Sequence, residues 1–178
     1  MVTNNSVFNT ENKPLYTLIN NPYSSSASIA PPEADASSNG RLFMVTTANA
    51  AIAGGSNQLV QITNPNLSGR SLYISRISGG TTAAATLILY AGGTVTGGTT
   101  PTPFNCQFGN TTTSIASART SSGTVTGTPT QFMSLPMAAG MFNLEFTGGI
   151  IVPPNRSITL SLGPGAITAA TNIAWWEV

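Results

Sequence analysis

The sequence predicts an all-β protein: an antiparallel jelly-roll β-sandwich of about 8–10 strands, preceded by an extended N-terminal arm. Three observations carry this expectation. About ten short runs rich in Ile, Val, Thr and aromatics are separated by Gly, Pro and Asn. Two runs alternate strictly: Phe142, Leu144 and Phe146 with Met141, Asn143 and Glu145, and Ile158, Leu160 and Leu162 with Ser157, Thr159 and Ser161. Such alternation sends one set of side chains to a core and the other away from it. No stretch shows a helical period.

Residues 1–40 stand apart as a connector arm and linker, leaving 41–178 as the sandwich domain. The arm contains two apolar clusters, Val7-Phe8 and Leu15-Tyr16-Thr17-Leu18-Ile19, followed by the linker-like SSSASIAPPEADASSNG. A pure linker has no use for Phe8, Leu15, Leu18 and Ile19. We read Val7, Phe8, Leu15, Tyr16, Leu18 and Ile19 as residues that dock on another subunit. A disordered tail, or a strand added to its own domain, is the alternative.

From Arg41 the expected strands are 42–47, 59–63, 71–77, 86–90, 111–118, 130–135, 141–146, 150–152, 157–162 and 172–176. The turn signals between them include Gly54-Gly55, Asn64-Pro65-Asn66, Gly79-Gly80, Gly92-Gly93 and Gly109-Asn110. Gly148-Gly149 interrupts one run. Pro153-Pro154-Asn155 forces a turn, because proline fixes φ and cannot donate to a ladder. The last run ends in Trp175-Trp176, which alternation sends to opposite faces; one fills the core and the other needs a neighbour or a surface groove. Gly93-Thr94-Val95-Thr96-Gly97 recurs as Gly123-Thr124-Val125-Thr126-Gly127. The echo has two readings: chance in a low-complexity chain, or equivalent loops at one end of the sandwich.

Composition narrows the function. Of the 178 residues only 6% are charged and the net charge is +1, against roughly 25% charged in an average soluble protein. Such a surface argues against nucleic acid or an anionic membrane as partner. Low charge also weakens a defence against self-association. With no histidine, Ser-His-Asp and Cys-His catalysis are excluded. Paired-carboxylate chemistry in the domain would have to use Glu145 and Glu177. We expect no enzyme activity, no metal and no cofactor. The single cysteine, Cys106, cannot form an internal disulfide and is expected as a half-buried small residue. No apolar run reaches the roughly 20 residues of a membrane span. The N-terminus lacks a secretory pattern, so an extracellular role would imply release by lysis.

A neutral arm followed by a Thr/Gly-rich domain containing Gly149-Ile150-Ile151-Val152-Pro153-Pro154-Asn155-Arg156-Ser157-Ile158-Thr159-Leu160 resembles the subunits of bacterial endospore appendages. The resemblance implies jelly-roll subunits joined by N-terminal connectors into pilus-like fibres on the spore surface. It departs at one point: those connectors carry cross-linking cysteines and this arm has none, which implies a non-covalent homopolymer. The same turn-then-strand pattern is similar to phage head-decoration and tail-fibre domains, so a virion or receptor-binding protein is the alternative. A third class, a carbohydrate-binding module, would present Tyr73, Tyr90 and one of Trp175 or Trp176 on one face.

Overall fold

The computed structural model describes residues 32–178, and the arm residues singled out above lie outside them. The described residues open with a short helix, α1 (Pro32–Ser38), and continue through β1 (Leu42–Thr46), β2 (Ala50–Ile52), β3 (Asn57–Asn64), β4 (Leu72–Thr81), β5 (Ala85–Ala91) and β6 (Phe104–Asn105). They end with β7 (Ser117–Gly123), β8 (Thr130–Met137), β9 (Gly140–Val152), β10 (Arg156–Gly163) and β11 (Ile167–Glu177). The strands form two antiparallel sheets. One runs β6-β1-β11-β4-β9, with β2 also on β11; the other runs β7-β3-β10-β5-β8.

The alternating runs build the core between the sheets. Ile158, Leu160 and Leu162 of β10 face Leu72, Ile74 and Ile77 of β4 and Trp175 of β11 within one buried cluster. Each such side chain contributes roughly 1.5–3 kcal/mol by leaving water. The buried Gln58 crosses between the layers: its amide donates to Ala169 O at 3.1 Å and its oxygen accepts from Thr171 Oγ1 at 2.7 Å. Asn64 reaches from β3 to Val152 O at 2.9 Å. Both amide nitrogens are paired where an unpaired one would be costly, whereas Asn64 Oδ1 is buried without a partner among the described residues.

Several local expectations are corrected. Gly79-Gly80 is not a turn but the interior of β4, where a Cβ on Gly79 would lie 2.0 Å from Ala170 O. Only glycine admits that approach of β11. Runs 141–146 and 150–152 are one strand, β9. The glycine pair makes a bulge in it: Ile74 pairs with Ile150 and Arg76 with Glu145, so residues 146–149 oppose Ser75 alone. The strand placed at 111–118 begins at Ser117 instead. The end of the linker-like stretch is helix α1, which packs on the domain through buried Ala36 and through the Glu33 carboxylate, which accepts from Ser75 Oγ. Helix α1 thus lies on the arm side of residue 40 and packs on the domain.

The echo of GTVTG has a structural counterpart. Thr94 N donates to Thr126 O at 2.9 Å, and Thr126 N to Thr94 O at 3.1 Å. The two copies pair antiparallel with each other, which chance repetition does not require.

Candidate assembly surface

The two lateral edges of the sandwich differ. At one edge β7 is the outer strand of its sheet, and the connection between β5 and β7 folds back over it. Thr99 N and Thr120 O bond at 2.8 Å, and Thr120 N and Thr99 O at 2.9 Å. Ser121 Oγ donates to Thr96 O and Arg119 Nη1 to Gly97 O. The same connection supplies β6, which pairs with β1, and Cys106 N donates to Leu42 O at 2.9 Å. Further along, Glu177 ties it down. This carboxylate is fully buried; it accepts from Ser114 Oγ and Ile115 N, from Trp175 Nε1 at 3.4 Å, and lies 3.6 Å from Arg70 Nη1.

At the opposite edge, among the described residues, β8 pairs only with β5 and β9 only with β4. Both follow from a two-residue connection, Ala138-Ala139, yet belong to different sheets. Their core-facing side chains are Met133, Leu135 and Met137 on β8 and Phe142, Leu144, Phe146 and Ile150 on β9, and all are half-buried against the core. At the far end of the edge, Phe132 and Thr130 of β8 and Ile150–Val152 of β9 line a groove of about 530 Å³ that also takes in Gly92, Gly93 and Arg156. Among the described residues, three of the seven exposed large hydrophobics, Phe132, Met141 and Ile151, lie on these two strands, Met141 at 96% exposure. Natural edges are usually blunted by charge, proline or a cover. β8 carries Pro136; β9 is thirteen residues long with Glu145 its sole charge and no proline.

The tryptophans expected as a surface aromatic contact are both buried, Trp175 at 0% and Trp176 at 8% exposure. They do take opposite faces. Trp175 fills the core beside Phe43, and Trp176 stacks on Tyr73 with centroids 5.8 Å apart and planes 4° apart. The neighbour that Trp176 needed comes from its own sheet: a Cβ on Gly148 would lie 2.5 Å from the indole. Tyr73 sits in β4 and Tyr90 in β5, on different sheets, so the aromatic set proposed for a carbohydrate face is not brought together.

Glu145 and Glu177 are likewise separated. Glu145 is exposed and accepts from Asn143 Nδ2 at 3.0 Å, whereas Glu177 points inward beside Trp175. They do not flank a common space. Among the described residues no cluster of three His, Cys, Asp or Glu could hold a metal. Cys106 is half-buried. Burial pushes its thiol pKa above 9.0, Arg76 pulls it back in part, and Glu33 adds a smaller push upward.

Against family models, curated proteins and solved structures, the chain matches none.

Proposed function

We propose that this chain is a structural, self-assembling subunit of an extracellular, spore-surface fibre, joined non-covalently by its N-terminal arm docking on a neighbouring subunit through strand addition. The observation that carries this reading is the β8/β9 edge, whose main chain has no further strand partner among the described residues and lies beside half-buried apolar side chains. Strand addition uses such an edge: main-chain bonds give affinity and alternate side chains give register. A head-to-tail contact that does not close makes a filament.

The jelly-roll assignment belongs to the same proposal. It is supported by the core orders β1-β11-β4-β9 and β3-β10-β5-β8. Successive strands of these two sets switch sheet at every connection except β5 to β8, as the wrapped hairpins of a jelly roll require.

Electron microscopy of the purified chain tests the reading. Long filaments from the full chain, and dispersed folded domains after deletion of residues 1–31, are expected. The cut falls before α1 because that helix packs on the domain. Closed rings or trimers would favour the virion alternative, and filaments that survive the deletion would exclude the arm as connector. Filaments should also persist in reductant, since Cys106 is the sole cysteine. They should persist between pH 5 and 8, since no imidazole titrates there.

A further inference from the structure

We infer that the cleft between β8 and β9 is the acceptor for residues 15–19 of the arm, laid along the free edge of β9; this rests on the reading of the arm as a connector. Four observations converge on it.

The first is where the described chain begins. Pro32 and Glu33 share a groove of about 140 Å³ with Glu145 and Thr147 of β9 and with Trp176. The arm therefore leaves the domain on the outer face of the strand whose edge is bare. Twelve residues lie between Ile19 and Pro32, and the thirteen steps from one to the other span at most about 43 Å at roughly 3.3 Å each. The two sheets lie only about 10 Å apart, so the edge cleft of the same subunit or of an adjoining one is within reach.

The second is chemical match. The half-buried side chains along the β8/β9 edge are Met, Leu, Phe and Ile, and the segment Leu15-Tyr16-Thr17-Leu18-Ile19 carries no charge. The third is length. Pro14 precedes the segment and Asn20-Asn21-Pro22 follows it, which confines it to five residues, about 17 Å as a strand. That fits within the stretch of β9 that pairs with β4 before the bulge, the six residues Gly140–Glu145. The fourth is strand choice. β9 has no proline, so its outward main-chain groups can all pair, whereas β8 contains Pro136. The other exposed apolar pair, Phe104 and Phe108, packs edge to face at 5.6 Å and has only the two-residue β6 beside it.

The test is disulfide trapping in full-length chain with Cys106→Ser. Leu18→Cys is combined with Leu144→Cys on β9 in one protein and with Leu135→Cys on β8 in a second, so that one misfolded variant does not decide the matter. A third protein pairs Leu18→Cys with Phe104→Cys as control. Each is oxidised, run on a non-reducing gel and mapped by peptide mass spectrometry; circular dichroism establishes folding.

A ladder of covalent oligomers from position 144 or 135, with at least ten times less product from position 104, is expected. A disulfide to 144 or 135 within one chain, without a ladder, would keep the acceptor cleft but overturn the connector reading. Filaments with no disulfide at either position, or with the ladder formed through position 104, would overturn the cleft while leaving the connector intact.

Discussion

The two lateral edges of this sandwich are built from similar strands and finished differently. The β7/β6 edge is covered by the chain's own connection, held by main-chain bridges at Thr94 and Thr99 and by the buried carboxylate of Glu177. The β8/β9 edge has no cover among the described residues, although β9 is the longest strand and carries apolar side chains on both faces. Coverage of one edge leaves a single direction for strand addition. An edge pair open on both sides would invite sheet growth without defined polarity.

The largest expected effect sharpens this contrast in the core. Leu160→Ala, in the fully packed interior, should cost about 2–5 kcal/mol of unfolding free energy. Leu144→Ala on half-buried β9 should cost the isolated domain about half as much, because less surface is lost to water. Urea denaturation of the chain lacking residues 1–31 reads both. Equal losses would show that the β9 side chains are as enclosed as the core.

The next prediction breaks the covered edge. Glu177→Ala leaves Ile115 N–H, Ser114 Oγ and the indole N–H without their acceptor, at a cost of about 3 kcal/mol. Proteolysis should then cut near residues 107–115 first. A smaller effect of the same kind follows from Gly98→Ala. Gly98 has φ +71, and a Cβ there would lie 1.9 Å from Thr120 O. The substitution should cost about 1–3 kcal/mol and speed amide exchange at Thr120. No change in exchange there would mean that the Thr99 bridge does not hold the edge.

How far this contrast could be read from the sequence depends on the residue. The run at 157–162 was legible because its alternation reports a buried face directly, and those at 42–47 and 86–90 because they are short runs rich in β-formers. β7 was not, because Ser117-Ala118-Arg119-Thr120-Ser121-Ser122-Gly123 has almost no apolar side chain; its place is set by pairing with β3. The bulge at Ser75 had a signal, the three-residue step from Ile74 to Ile77, which departs from a period of two. Gly79 looked like a turn because glycine is used both for turns and for close approach of strands. The half-burial of Phe142 and Leu144 was illegible, since alternation along β9 is the same whether or not a strand lies beside it. The arm's apolar cluster was visible, but its acceptor depends on which edge the fold leaves uncovered.

The smallest effect concerns Cys106, under the covered edge. Its thiol is held above the ordinary value chiefly by burial, so it should alkylate more slowly at pH 8 in the folded chain than in urea. Because the folded value is the higher one, the linked stability is intact below the ordinary thiol pKa and declines as the pH rises through the folded value. Alkylation as fast as in urea would place the thiol in open solvent.

The most direct test of the whole account is amide hydrogen exchange on β7 and β9, compared between assembled full-length chain and the chain lacking residues 1–31. The account predicts that the outward amides of residues 141–147, those that do not donate to β4, are protected in the assembly and exchange at least tenfold faster in the truncated domain, while the amides of 118–122 stay the same in both. Equal protection of β9 in the two samples, or a change confined to β7, would contradict it.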